Sequence, residues 1–343
     1  MSVRKWMAGA AVALVAVLGL AVVGGGAAAP AKHQATTPLK VAVITDIGGL
    51  NDKGFNALAY NGLKVAQRQY GVKGRVFISK SAADYVPNLS AAAKAGNDLV
   101  IAVGFLMGDS IAQVAKQFPK TKFAIIDVNA AGLKGKPKNV RGIVFAEQEA
   151  GCLAGVAAAT ESKSGTISSV GGLKIPPVDA YIAGYQYCAK KVKPGIKTLN
   201  GYSQDFVAQD KCKSVALDQI GQGSDVVFQV AGGCGLGAIS AAADSDAWGI
   251  GVDNDQSFLG PQVLTSAQKK VDAGVTQTIK LVKDGKYKGG VDGLFNVKNG
   301  GVGYGKVSVK APARAALIAK LNTWAKQIAS GKVKPPRTGI ANG

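Results

Sequence analysis

The chain has 343 residues, 47% of them hydrophobic, with 41 Lys and Arg against 21 Asp and Glu for a formal net charge of +20. That is enough chain for two ordinary domains with real cores. The basic residues stand singly or in pairs such as Lys190-Lys191 and Lys269-Lys270, with no long Arg/Lys tract or zinc-finger spacing, which argues against a nucleic-acid partner and for a basic solvated surface beside an anionic envelope.

Residues 1–29 read as a signal peptide. Arg4 and Lys5 form a positive n-region, Met7 to Val23 is apolar, and Ala27-Ala28-Ala29 before Pro30 is an A-x-A cleavage pattern. The protein is therefore expected to be exported, to the periplasm or cell envelope. The apolar run approaches a spanning length, so retention as an uncleaved anchor is the alternative. No Cys lies near the boundary, so lipoprotein processing is not expected. Residues 30–38 read as a polar linker.

Strand-like and helix-like runs then alternate. Strands are predicted at Val41–Thr45, Arg75–Ser79, Leu99–Val103, Phe123–Asp127 and Val140–Phe145. A second series follows at Thr166–Val170, Ile196–Leu199, Asp225–Val230 and Trp248–Val252. Helical spacing is found at Gly54–Tyr70, Val86–Ala95, Ser110–Phe118, Gln148–Ala159, Pro176–Lys190, Val207–Gln219, Leu236–Ala243 and Lys269–Lys283. This alternation predicts an α/β fold with parallel sheets covered on both faces. The two series look like two lobes, because Asp98–Gly104 is similar to Asp225–Ala231 and each lobe has a strand ending in Asp, Phe123–Asp127 and Gly249–Asp253. Gly300–Gly305 reads as a turn between short strands. Ala311–Ser330 is an amphipathic helix stopped by Gly331 and followed by Pro335-Pro336, placed to cover a lobe.

Ligands of open α/β sheets bind beyond the carboxyl ends of the strands. The run Val41–Asn56 carries Asp46 at such an end and Phe55 and Asn56 at the start of the next helix. Asp127 and Asp253 stand at two more strand ends. Each acid could instead serve a turn or a helix cap; three at strand ends point toward one crevice.

Four cysteines remain: Cys152, Cys188, Cys212 and Cys234. An even count in an exported chain points to disulfides. Three pairings are possible. Cys188 with Cys212, joining consecutive helices of neighbouring βα units, is the favoured one, which leaves Cys152 with Cys234; buried free thiols are the other reading.

Some chemistry is missing. His33, in the linker, is the only histidine, which removes Ser–His and Cys–His nucleophilic sites and HExxH zinc sites. There is no phosphate loop of the G-x-x-x-x-G-K-[ST] type. Gly232–Gly237 departs from G-x-G-x-x-G, since a window beginning at Gly233 ends on Ala238. No cofactor and no metal are expected, and nothing marks any carboxylate pair as catalytic.

Several ordered motifs, Thr45–Asn56, Phe145-Ala-Glu-Gln-Glu-Ala-Gly151, Val170-Gly-Gly with Ile175-Pro, Val230-Ala-Gly-Gly, Ile250–Gln256 and Leu264-Thr-Ser266 with Lys269, resemble the basic membrane protein family. These are solute-binding proteins of ABC importers, similar to purine nucleoside receptor lipoproteins. The resemblance spans roughly Leu39 to Pro336. It implies a type I periplasmic-binding-protein fold, two Rossmann-like lobes with three hinge crossovers. Residues 39–146 and 257–285 would form lobe 1, 147–256 and 286–311 lobe 2, and 312–343 a C-terminal helix and tail.

The resemblance also implies a site. Asp46, Phe55 and Asn56 would supply one wall, and Asp127 would read the edge of a base. Phe206 would sandwich that base against Phe55. Asp253 would accept from ribose hydroxyls with Lys269 beside it, and Gly232 and Gly233 would let the backbone approach. The implied partners are a nucleoside, most simply a purine nucleoside, and an ABC permease, with the receptor a monomer and not an enzyme. A nucleoside-processing enzyme on the same scaffold, or a receptor for another small polar ligand, is the alternative. The chain departs from the family's pattern in lacking a lipobox cysteine, in having Cys152 where many relatives have an aromatic, and in having Cys234 where Thr is frequent.

Overall fold

The computed structural model describes residues 38–341; the targeting segment, the linker through 37 and His33 lie outside the described residues. The first series folds as β1 (Lys40–Ile44), α1 (Phe55–Tyr70), β2 (Lys73–Phe77), α2 (Tyr85–Lys94), β3 (Leu99–Ala102), α3 (Gly108–Gln117), β4 (Lys122–Ile126) and β5 (Val140–Phe145). The second runs α4 (Glu147–Glu161), β6 (Thr166–Gly171), α5 (Pro176–Val192), β7 (Lys197–Tyr202), α6 (Gln209–Gly221), β8 (Val226–Val230), α7 (Gly235–Asp244), β9 (Trp248–Asp253) and β10 (Val263–Lys269). The chain ends with α8 (Val271–Lys283), β11 (Asp292–Phe295), β12 (Val302–Tyr304) and α9 (Arg314–Ala329).

Two six-stranded sheets result, ordered β11-β5-β4-β3-β1-β2 and β12-β10-β9-β8-β6-β7. All pairings are parallel except β12 on β10. Their central strands are buried along their whole length, as in Leu99–Ala102 and Val226–Val230, because helices cover both faces. The strand order reverses between β1 and β3 and again between β6 and β8. These are the points where an α/β sheet opens a crevice. This is the two-lobed α/β architecture that the sequence pattern and the resemblance led us to expect.

The lobe boundaries expected at 257–285 and 286–311 are corrected. Val263–Lys269 is buried on both faces and pairs with β9 and β12, so it is an interior strand of the second sheet rather than part of lobe 1. The Lys269–Lys283 helix starts at Val271, and Lys269 ends the strand before it. Helix α8 then packs on α1 in lobe 1, where Thr276 donates to the Gly62 carbonyl at 3.0 Å. Strand β11 pairs with β5 in the first sheet, and β12 returns to the second. The chain thus crosses between lobes at 145–147, at 269–271 and between β11 and β12. Helix α9 buries Leu317, Leu321 and Ile328 and packs on α4.

The disulfide pairing is also corrected. Cys152 bonds to Cys188 and Cys212 to Cys234. The crossover from β6 to β7 and the return from β7 past β6 to β8 run in opposite directions, so right-handed connections put α5 and α6 on opposite faces of the sheet. A Cys188–Cys212 bond would have to pass through the sheet. Instead α5 packs on α4 so closely that a Cβ on Gly151 would lie 2.0 Å from the Tyr181 carbonyl oxygen, and α6 packs on α7. Each bridge joins two helices on the same face.

Candidate functional site

Strand β1 delivers Asp46 to the crevice of the first sheet. Its Oδ1 accepts from the Ile47 amide at 2.7 Å and from the Tyr85 hydroxyl at the start of α2. Burial raises the Asp46 pKa, against those two hydrogen bonds. The same burial, with the Asp46 charge, holds the Tyr85 phenol above its ordinary range, so Tyr85 stays a donor.

Asp52 accepts from the amides of Gly54 (3.1 Å), Asn56 (2.6 Å) and Ala57 (3.1 Å), which satisfies the first turn of α1. Asn56 accepts from the Asp46 amide at 2.8 Å and donates to Asp52 at 3.1 Å. Its carboxamide therefore ties the β1 end to the α1 start, and this fixes Phe55 and Asp46 relative to each other.

Lys269 is the centre of the site. It is 2% exposed; its Nζ lies 2.6 Å from the Asp127 carboxylate and 3.3 Å from Glu147. The ammonium also sits 5.0 Å from the ring centroids of Phe55 and Phe145. Burial would lower the Lys269 pKa, but the Asp127, Glu147 and Asp253 charges outweigh it and hold Lys269 up, protonated. Burial pushes Asp127 up to about 7, against the Lys269 charge and helped by that of Glu147. The ammonium bonds Asp127, because β10 ends at the second crossover, where Lys269 reaches back into lobe 1; its charge also acts on Asp253.

The second lobe supplies Asp253, Phe206 and the Gly232-Gly233 turn. Tyr181 donates to Asp253 at 3.2 Å. Burial pushes Asp253 up to about 6, against the Lys269 charge. The Cys234 amide donates to the Phe206 carbonyl at 3.0 Å, which joins the glycine turn to the aromatic. A Cβ on Gly172 would lie 2.3 Å from the Phe206 ring, so that ring packs directly against the Gly172 backbone. Asp127 (φ 70°) and Asp253 (φ 61°) both adopt the left-handed conformation, an uncommon cost for a non-glycine residue that tends to concentrate at functional sites.

These residues surround one cleft, lined by every site residue the resemblance implied: Asp46, Phe55, Asn56, Asp127, Phe206, Gly232, Gly233, Asp253 and Lys269. Ile175, Pro177, Val178, Val230 and Val252 complete an apolar floor. The lobes touch around it. Asn254 donates to the Lys53 carbonyl at 3.4 Å, and a Cβ on Gly54 would lie 3.8 Å from Asp253. Four carboxylates, those of Asp46, Asp52, Asp127 and Asp253, face one ammonium in this lining, so the cleft is acidic inside a basic chain. Its chemistry suits a neutral ligand with a flat apolar part and several hydrogen-bond donors. Among the described residues no group of three or more His, Cys, Asp or Glu is placed to hold a metal ion.

Sequence reasoning missed Asp52, Tyr85, Glu147 and Tyr181. Asp52 had a legible signal, a carboxylate just ahead of the first turn of a helix. Tyr85 and Tyr181 had none, since each is an aromatic residue on a helix that meets its acid only through the fold.

The sequence profile of the Bmp family, described as ABC transporter substrate-binding protein PnrA-like, matches residues 39–337. The ABC transporter nucleoside-binding protein BmpA of Lactococcus lactis is 35% identical, with 97% of this chain and 99% of that protein aligned. An uncharacterized lipoprotein of Pyrococcus horikoshii is 35% identical over 82% of this chain and 72% of its own. Among solved structures, an ABC transporter solute-binding protein from Aeropyrum pernix superposes with a TM-score of 0.77 at 25% identity, covering 87% of this chain and 94% of that one.

Proposed function

The chain belongs to the Bmp family of PnrA-like ABC transporter substrate-binding proteins, and on that premise we propose that its cleft captures a nucleoside, a purine nucleoside first, and releases it unchanged to a membrane permease. One observation carries the reading. Phe55 from one lobe and Phe206 from the other line a single acidic cleft with Asp46, Asp127 and Asp253. A nucleoside is uncharged, flat in its base and rich in hydroxyl donors in its sugar. The rings bury the base, and carboxylates accept the hydroxyls in charge-assisted bonds. The excess of carboxylates disfavours a phosphate on the same ligand.

The protein would work outside the cytoplasm, as substrate-binding proteins of this family do. No helix among the described residues is long and apolar enough to cross a membrane. Closure of the two lobes on ligand would present a loaded receptor to the permease. The name of the Lactococcus relative supports a nucleoside for this chain as well.

Calorimetry with guanosine, inosine, adenosine, free ribose and guanosine monophosphate tests the reading. Micromolar or tighter binding of at least one nucleoside, with the monophosphate and ribose much weaker, supports it. Binding of ribose as tight as that of any nucleoside would overturn the role given to the aromatic pair. Chromatography of a nucleoside incubated with the protein separates receptor from enzyme: free base accumulating with time would mean turnover.

A further inference from the structure

The tail beyond α9 does more than end the chain. Gln186 on α5 exchanges two hydrogen bonds with the backbone of Ala341, at 2.8 and 3.1 Å, and pins the tail to lobe 2. Between α9 and that pin, Arg337 reaches the first crossover. It donates to the Phe145 carbonyl at 3.0 Å, to Gln148 Oε1 at 2.8 Å and to Glu147 Oε2 at 2.8 Å. Phe145 ends the last strand before the crossing and Glu147 begins the first helix after it, so one guanidinium clasps both ends of the hinge strand.

Glu147 is 1% exposed and its other oxygen faces Lys269. A chain of alternating charge therefore runs from the tail into the cleft: Arg337, Glu147, Lys269, Asp127. Neither Arg337 nor Glu147 lines the cleft. Arg337 is half exposed on the outside of the molecule. A buried carboxylate needs a partner. With Arg337 in place, Glu147 is shared between two cations and Lys269 stays close to Asp127. Without it, Lys269 is the only cation paired with Glu147 among the described residues, and the ammonium is drawn away from Asp127 and the ligand.

We propose that the C-terminal tail is a strap across the hinge, and that Arg337 positions Lys269 for ligand binding from outside the cleft by holding the far oxygen of Glu147. The effect on affinity rests on the nucleoside reading above; the effect on Asp127 does not. Arg337 is a positioning residue, since it touches no part of the cleft.

The test uses the whole chain with guanosine, inosine and adenosine as probes. Arg337→Ala should weaken whichever nucleoside the unaltered protein binds about tenfold, the range of coupling carried through a packed network, and Arg337→Lys should restore part of it. In a double-mutant cycle, Arg337→Ala and Glu147→Gln together should weaken binding no more than Glu147→Gln alone. In the ligand-free protein, carboxyl-carbon NMR should show Asp127 titrating at higher pH in Arg337→Ala than in the unaltered chain. If no nucleoside binds the unaltered protein, the proposed ligand is wrong and the NMR titration still decides the strap. Additive losses in the cycle, or an affinity within twofold of the unaltered protein with an unchanged Asp127 titration, would overturn the strap and leave the tail as packing only.

Discussion

The two lobes are built on the same plan and are held together differently. Strand for strand, β1 to β5 correspond to β6 to β10, and the added edge strands β11 and β12 take equivalent places. Asp127 and Asp253 are topological twins, each at the end of the fourth strand and each in the left-handed conformation. Their surroundings differ. Asp127 is ion-paired with Lys269 in direct contact, while Asp253 accepts from the Tyr181 hydroxyl. Both disulfides lie in the second lobe, and among the described residues the first lobe has none. The first lobe instead locks its cleft wall with the Asp46, Asn56, Asp52 and Tyr85 hydrogen bonds. Duplicated architecture therefore fixes where acids can stand, and local partners decide how available each acid is to a ligand.

The largest expected effect concerns the twins. Asp253→Ala should weaken nucleoside binding by about 100-fold or more, the cost of truncating a buried charged partner. Asp127→Ala should cost about tenfold, because the Asp127 charge is already neutralised by Lys269. Calorimetry checks both, and equal losses would break the contrast between them.

The disulfides come next. Reducing both should lower stability by about 2–4 kcal/mol for each bridge. Hydrogen exchange should then rise in α4 to α7 and leave lobe 1 unchanged; uniform loosening would show that the lobes do not differ in this way. Replacing Cys212 and Cys234 by Ser should also weaken nucleoside binding a few-fold, since Cys234 adjoins the Gly232-Gly233 turn in the cleft wall.

Phe55→Ala and Phe206→Ala should each cost about 1–3 kcal/mol, with little dependence on the base. A loss at only one of the two would mean that the base lies on one lobe rather than between them.

The smallest effect is that of pH. Asp127 and Asp253 are raised by burial to about 7 and about 6, so the folded protein holds more protons than the unfolded chain above the ordinary carboxylate value of 3.8. The ligand-free protein should lose stability as pH rises through that window. The melting shift produced by a nucleoside should grow over the same window, because ionised carboxylates accept hydroxyl donors in stronger, charge-assisted bonds. Thermal scans at several pH values, with and without ligand, check the opposite signs; in Asp253→Asn the lower step should disappear.

Much of the site was legible because much of it is local. Asp46, Phe55 and Asn56 belong to one strand–turn–helix unit, and Asp46 and Asn56 bond across only ten residues. Strand-end placement was enough to mark Asp127 and Asp253. What escaped were pairings at a distance: Lys269 with Asp127 is 142 residues apart, Tyr181 with Asp253 is 72, and Tyr85 with Asp46 is 39. The cysteine pairing failed for the same reason, since adjacency along the chain put α5 beside α6 while the reversed strand order put them on opposite faces. The lobe boundary failed at Val263–Lys269, a strand whose sheet depends on which edge is free.

Hydrophobic periodicity and turn chemistry are written residue by residue, so the amino-acid order alone determined the alternation of strands and helices, the two lobes and the acids at the strand ends. Strand order, helix faces and the meeting of the lobes are decided by which apolar surfaces find each other. Only the folded molecule could therefore decide that Lys269 serves Asp127, that the cysteines join helices of one face, and that Arg337 closes over the hinge.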